Sequence, residues 1–281
     1  LCGEKVRVAS FNLQNYLIMD RVVEGKWRRD YPKPEKEKRA LRSILKEVDA
    51  DVVAFQEMGD RPFLNELWMD LNVTKGPVYP HAIWMPAGDP EEVRHLALFS
   101  KIPFGSIRMH HDIRFPYFGD RKTPDRGVLE VTFDSNGTKW KLLNLHLKSK
   151  WTERKDDPDA SIRREREARA IRDYLRKSNP PESNPRYLVV GDFNDHRNSA
   201  PLRRFLQVND TVLTSMVPCE DTRGHRWTHH WANADSYSRF DYILATPPML
   251  KKLVLGSAKI VDAPDSALAS DHRMIFADFQ F

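Results

Sequence analysis

Cysteine is almost missing from this chain of 281 residues, which holds only Cys2 and Cys219. Two thiols so far apart match no metal-ligand spacing; a disulfide framework is not expected, and the two are left either free or paired. Long apolar runs are missing as well. None approaches the roughly 18 residues that a membrane-spanning helix needs, and neither an internal repeat nor a low-complexity tail interrupts the sequence. A soluble protein with no transmembrane segment is therefore expected. Nothing calls for an obligate protein partner, and a monomer is the simplest expectation. Excess of one charge is slight: 45 Lys and Arg stand against 40 Asp and Glu, a formal +5, which favours an anionic partner without requiring one. The chain starts at Leu1 instead of Met, which fits either removal of an export signal, giving a periplasmic or secreted product, or a trimmed start.

What is present is an alternation of strand-like and helix-like segments without a polar linker long enough to divide them, so one domain over residues 1–281 is expected. Residues 6–13 read as a strand that ends near the polar Asn12. Pro34 opens an amphipathic helix with Ala40, Leu41, Ile44, Leu45 and Val48 on one face and Lys36, Lys38, Arg42 and Lys46 on the other. The apolar run 51–56 then suits a buried strand that delivers Glu57 at its carboxyl end. Residues 128–133 and 140–147 read as a hairpin that delivers His146. A charged helix runs from about residue 158 to 177, with Ile162, Ile171 and Leu175 inward and Arg163, Arg164, Arg166, Arg169, Arg172 and Arg176 mostly outward, and a strand over 187–190 ends at Gly191-Asp192. Further strands are expected over 96–99, 107–109, 226–231, 239–245, 252–260 and 273–279. Many strands, few helices and mixed connections favour two packed sheets with helices outside over one mixed sheet. Residues 110–126, rich in Pro, Gly, aromatic and charged residues, are expected to form a surface loop beside the site.

Polar residues at strand ends define a chemistry. Hydrolysis of a phosphate ester needs a divalent cation, a deprotonated water, donors around the phosphoryl oxygens and help for the leaving alkoxide. Glu57 and Asp271 are the best-placed carboxylates for a hard cation such as magnesium. Asp192 can take the proton of the attacking water, and Asn194, two residues on, can orient that water. Asp241 and His272 can pair as carboxylate and imidazole, the acid favouring the cationic ring beside a phosphate. Each residue alone has an ordinary structural reading: a turn at Gly191-Asp192-Phe193-Asn194, a satisfied core histidine at 146, a surface ion pair at Glu57, a helix or turn start at Ser270-Asp271-His272. Their joint occurrence, each at a strand terminus, carries the functional reading.

The motifs Ser10-Phe11-Asn12, Gln56-Glu57, Asn144-Leu145-His146, Gly191-Asp192-Phe193-Asn194, Phe240-Asp241-Tyr242 and Ser270-Asp271-His272 span nearly the whole chain. Through them it resembles the endonuclease/exonuclease/phosphatase superfamily, and within it pancreatic-type deoxyribonucleases and abasic-site endonucleases. The resemblance implies an α/β fold, a four-layer α/β/β/α sandwich of two packed mixed, mainly antiparallel sheets with the site at one edge. It implies magnesium or manganese as cofactor, with calcium as a further candidate. It makes Glu57 a metal ligand with Asn12 and Asp271 beside the cation, and Asp192 and Asn194 the residues that position and activate the water. Asp241 and His272 become the acid–histidine pair, His146 a phosphate contact or leaving-group assistant, and Arg126 a phosphate contact, which Asn194 and His272 share. Deoxyribonucleases pair the histidine matching His146 with a glutamate on a preceding strand. Residues 93–99 offer no acid there, which leaves Glu91 or Glu92 to serve.

Substrate is the least specified property, because the superfamily spreads nucleases, inositol-phosphate phosphatases and sphingomyelinases over one core. Lys148, Lys150 and Trp151, with the loop cations His110, His111, Arg114, Arg121 and Lys122 beside Phe115 and Tyr117, suit a phosphate backbone and stacked bases. A nucleic-acid substrate is therefore expected, whereas the arginines of 163–176, interleaved with Glu165, Glu167 and Asp173, fit a solvated helix face. The alternative is an inositol-phosphate or lipid-headgroup hydrolase docking through Trp227, Trp231 and Tyr237. A non-catalytic binding module ranks last, since Glu57, Asp192, Asn194 and His272 are all retained.

Overall fold

Hydrophobic alternation at period two, broken by three long amphipathic segments, resolves in the computed structural model into strands layered between helices. The model describes residues 3–73 and 78–281. In chain order the main strands are β1 (Lys5–Tyr16), β2 (Val52–Met58), β3 (His81–Met85), β4 (His95–Ser100), β5 (Ile107–His110), β6 (Val128–Ser135), β7 (Thr138–His146), β8 (Tyr187–Asp192), β9 (Ser215–Met216), β10 (Asp241–Ala245), β11 (Lys259–Ile260) and β12 (Ile275–Gln280). Helices α1 (Glu35–Val48), α2 (Arg61–Val73), α3 (Ser161–Ser178) and α4 (Ala200–Leu206) flank them. One six-stranded sheet has the order β11-β12-β1-β2-β4-β3 and the other β9-β10-β8-β7-β6-β5. Each contains a single parallel pair, β1 with β2 and β7 with β8, and is otherwise antiparallel. Crossover helices α1 and α3 join the two parallel pairs, as parallel pairing requires. The expected α/β/β/α sandwich of mixed, mainly antiparallel sheets is what forms.

Three apolar layers match the four-layer order. Val6, Val8, Val52, Leu98, Leu129, Leu142, Val190 and Ile243 fill the space between the sheets. Phe11, Leu41, Ile44, Leu45 and Leu67 seal α1 and α2 to the first sheet, and Ile171, Leu175, Val189, Leu202 and Phe205 seal α3 and α4 to the second. Side chains of β1 alternate faces, so the inward row that begins Val6, Val8 continues as Ser10 and Asn12. The inter-sheet layer thus turns from apolar to polar toward one edge. Across it Gln56 Nε2 donates to Asn144 Oδ1 at 2.7 Å, while Asn144 Nδ2 donates to the carbonyls of Phe55 (2.9 Å) and Ala97 (3.1 Å).

The expected β6–β7 hairpin forms, its strands extending inward to a tight turn at Asn136-Gly137, both in the left-handed region at φ 49° and 73°. Several local expectations are corrected. Lys38 is buried and paired to Glu66 at 2.6 Å with its ammonium over the Tyr16 ring, and Arg164 and Arg172 of α3 are buried while Ile162 is exposed. Of residues 252–260 only Lys259–Ile260 is strand, because Gly256 at φ 77° turns the preceding segment. The loop 110–126 carries a small ribbon, Phe115–Tyr117 against Asp120–Lys122. Helix α2 was not anticipated, although Leu64, Leu67 and Leu71 supply its buried stripe. Cys219 is buried as a free thiol, and Cys2 lies outside the described residues. Among the described residues no helix is long and apolar enough to cross a membrane.

Candidate active site

At the polar edge, register places the second sheet's share of the site. His146 is paired with Asp192 across β7–β8, and Asp192 with Asp241 across β8–β10. Directly opposed residues point to the same face, so the three form one row facing the first sheet. Gly191 makes that row possible: at φ 135°, a Cβ there would stand 1.9 Å from the Leu145 carbonyl oxygen. The first sheet answers with an irregularity. Pairing of β2 with β4 shifts between Phe55 and Met58, and that of β1 with β2 between Asn12 and Tyr16, so both partners bulge at Glu57. Glu57 itself has φ 59°, and Gln14 and Asn15 are also left-handed. The distortion turns the Glu57 carboxylate into the cleft, where Oε2 accepts the Asn15 backbone N–H at 2.8 Å and Oε1 accepts Asn12 Nδ2 at 3.3 Å.

Asp192 Oδ2 is the point where the sheets meet. Asn12 Nδ2 donates to it at 3.0 Å, His146 Nε2 lies 3.5 Å away and His272 Nε2 3.7 Å away. The other oxygen, Oδ1, accepts the backbone N–H of Asn194 at 2.8 Å, and Asn194 Nδ2 donates to the Leu147 carbonyl at 3.0 Å. His272 Nδ1 donates to Asp241 Oδ2 at 2.8 Å. Ser270 fixes the approach of His272, its hydroxyl donating to Asn12 O and accepting the His272 N–H. Asp271 is anchored by Gln14 Oε1, which accepts its backbone N–H at 3.0 Å. Glu57, Arg126, His146, Asp192, Asn194, Asp271 and His272 all line one cleft of about 540 Å³, with Asn12 and Asp241 bonded behind it.

Electrostatics divide these groups into distinct states. Burial opposes charge on His272, but Asp241 and Asp192 outweigh it and raise its pKa well above the ordinary histidine value. Burial and the positive fields of Arg126 and His272 hold His146 well below that value. Burial, with Asp241 and Glu57 adding to it, pushes Asp192 up to about 7. Asp271 is raised by burial and then by Glu57. A cationic imidazole, a neutral one and a crowd of carboxylates that disfavour one another's ionisation therefore share the cleft. Such a crowd fits a divalent cation, which relieves the repulsion, and the carboxylates that face the cleft are hard oxygen donors of the kind such a cation takes. Asn12 turns its nitrogen toward Glu57 and Asp192, since its oxygen accepts the Gln14 N–H at 2.9 Å.

Arg126 is 5% exposed. Its Nη2 lies 2.6 Å from Glu92 Oε2, whereas Nε and Nη1 are buried without a partner. Glu92 also holds Arg94 at 3.2 Å, so it serves two arginines and is not a partner of His146, whose Nδ1 has no bond. Glu91 is exposed, and its backbone N–H donates to Asp89 Oδ1 at 3.0 Å. Sequence reasoning missed Arg94 and His229, and assigned Glu92 to His146 instead of to the two arginines it holds. His229 stacks on Phe240 and lies 3.8 Å from Asp271, with its pKa lowered by burial to about 4. A His-His pair, His229-His230, on the strand expected over 226–231 was the available signal. Also missed was the buried bracket of Arg164 and Glu167, one turn apart on α3. Glu167 Oε2 accepts the Lys148 N–H at 2.8 Å; Arg164 donates to the Lys148 carbonyl at 3.2 Å and to Asp195 Oδ2 at 3.0 Å.

Known proteins share this architecture. The chain is similar in structure to the catalytic domain of human Nocturnin (TM-score 0.64, 18% identity, covering 99% of this chain and 94% of that one). It is similar to truncated Caenorhabditis elegans TDP2 (0.64, 17%, 99% and 98%) and to sphingomyelinase C from Streptomyces griseocarneus (0.64, 16%, 99% and 100%). At these identities the likeness establishes the fold alone. No curated protein matches the sequence. The sequence model of the Endonuclease/Exonuclease/phosphatase family does match, over residues 9–272, a span that begins in β1 and ends on His272. Sandwich, polar edge and family-wide sequence match agree, and the chain belongs to the endonuclease/exonuclease/phosphatase family.

Proposed function

We propose that this protein is a divalent-metal-dependent phosphodiesterase, and specifically a nuclease that cleaves by in-line attack of water on phosphorus. The family consists of phosphoric ester hydrolases, which typically use divalent metals. One observation carries the catalytic reading: a neutral and a cationic histidine converge with Asn12 on a single oxygen of buried Asp192, beside Glu57 and Asp271. Glu57 and Asp271 would hold the cation, magnesium or manganese, with Asn12 orienting Glu57 through its 3.3 Å bond. When bound, the metal supplies charge neutralisation at the phosphoryl oxygens and lowers the pKa of water.

The chain's own residues supply the rest. Asp192, whose raised pKa makes it a base near neutrality, takes the proton of the attacking water. Asn194, its nitrogen engaged by Leu147, offers its oxygen to orient that water. His272, kept cationic by Asp241, donates to a phosphoryl oxygen, where negative charge grows in the transition state. The two free nitrogens of Arg126 are donors of the same kind. His146, neutral and without a carboxylate behind it, is a phosphate contact and not a strong acid, so the leaving oxygen takes its proton from solvent.

Basic and aromatic residues around the cleft favour nucleic acid. Lys148 and Trp151 line it, and Trp151 is 72% exposed, available for stacking. A lipid-headgroup reading is supported by Trp231 and Tyr237, both exposed on the ribbon that carries His229, although Trp227 is half-buried under Arg273. Release from plasmid DNA, single-stranded DNA, RNA, an inositol phosphate and sphingomyelin, each with magnesium or manganese and with chelator, separates the two. Metal-dependent cleavage of a nucleic acid is expected; turnover of only the last two substrates overturns the nuclease reading.

A further inference from the structure

A hollow of about 890 Å³ lies away from the cleft, between α3 and residues 108–116. Its walls carry Arg108, Arg114, Arg166 and Arg169 against Asp112 and Asp173. Arg114 and Arg169 are exposed and make no ion pair among the described residues. Arg169 also opens a neighbouring hollow of about 550 Å³ with Arg172, Arg203 and Arg204. Four arginines against two acids in a concave surface leave a net positive field focused there.

Helix α3 connects this groove to the active cleft. Arg163 lines the cleft, Arg166 lines the groove one turn on, and Arg169 follows after another turn. At about 1.5 Å rise per residue, Arg163 to Arg169 spans roughly 9 Å, more than the axial rise of about 3.4 Å per nucleotide of a duplex strand. The ribbon aromatics stand between the two: Tyr117 lies beneath the guanidinium groups of Arg154 and Arg163, and Phe118 beneath those of Arg154 and Arg166. Phe118 remains 37% exposed. Arginines in a groove with an exposed aromatic ring, Phe118, against the groove arginine Arg166 suit a flexible phosphodiester strand and the stacking of a base. A lipid surface would instead meet a convex, apolar face, whereas Ile113 and Phe115 in this groove are buried.

We propose that this groove is an extension of the active cleft that binds the backbone of a single-stranded nucleic acid beyond the scissile phosphate. The inference rests on the nucleic-acid reading above. Arg114 and Arg169 contact phosphates one or more nucleotides away, and the Phe118 ring stacks on an intervening base.

The test compares the parent protein with Arg114→Ala/Arg169→Ala and with Arg114→Lys/Arg169→Lys. Anisotropy of a labelled single strand of about 20 nucleotides, with chelator present so that nothing is cleaved, is measured against salt. Each phosphate contact on a single strand contributes about 0.7 to the slope of log K against log salt, so the alanine pair should flatten it by about 1.4 while the lysine pair keeps it. With metal, the ratio of kcat/KM for the long strand to that for a dinucleotide should fall roughly ten-fold in the alanine pair. An unchanged slope in the alanine pair overturns the groove, as does a slope change seen only with duplex DNA or only with anionic phosphatidylserine vesicles. If no nucleic acid is cleaved by the parent, the nuclease reading fails. The slope measurement then still decides whether the groove holds a single strand.

Discussion

Asp192 divides its two oxygens between structure and chemistry. Oδ1 closes the local turn by accepting the Asn194 N–H, and Oδ2 faces both histidines. The ordinary turn and the functional group are therefore one residue, so a motif of four letters could not decide between them. Asp192→Ala or His272→Ala is expected to lower kcat by roughly three orders of magnitude or more while far-ultraviolet circular dichroism stays native; near-normal turnover in either would remove the assigned roles. Glu167 was illegible because a glutamate among arginines on a charged helix reads as solvated. It is instead fully buried, and burial, reinforced by Asp125, pushes its carboxyl up to about 7. A carboxyl that holds its proton more tightly folded than unfolded makes stability fall as pH rises, from the unfolded value of about 4.3 to the folded value of about 7. Glu167→Gln keeps the acceptor for Lys148 and removes that loss. Urea midpoints of the two proteins should agree near pH 4, with the variant the more stable at pH 8; a parent-to-variant difference equal at both pH values would contradict the burial argument.

Strands and crossover helices were readable because hydrophobic period and terminal polar residues agree in β1, β2, β7 and β8. The fine structure of those elements was not. Bulges at Glu57 and Asn15 leave no mark in composition, since left-handed backbone there is carried by Glu, Gln and Asn instead of glycine. Helix α3 was located correctly and its inward face misread, because Arg164 finds buried partners that no local pattern announces. Arg164→Ala strands the Asp195 carboxylate and the Lys148 and Asp159 carbonyls. We expect a loss of about 3–5 kcal/mol, read from denaturant midpoints, together with weakened turnover, since the same bracket holds the segments after His146 and Asn194. Gly191→Ala should be worse for the β7–β8 pair, with little folded protein recovered, because the added methyl meets backbone that cannot move aside. Recovery of native, active protein would show that the two strands can separate there.

Across the whole molecule, the site belongs to neither sheet. Glu57 and Asn12 come from the first, Asp271 from the segment that leads into its strand β12, and His146, Asp192 and Asp241 from the second. Asn144 of the second sheet donates to Phe55 and Ala97, backbone carbonyls of the first sheet at the margin of the irregularity that exposes Glu57. Each sheet can hydrogen-bond internally on its own, but the geometry around Glu57 is completed from across the interface. Activity therefore times the docking of the two halves. In refolding from urea, the circular dichroism of strands and helices should recover before turnover does, and Asn144→Ala should widen that lag. Simultaneous recovery of both signals would mean that the Glu57 distortion is set within its own sheet.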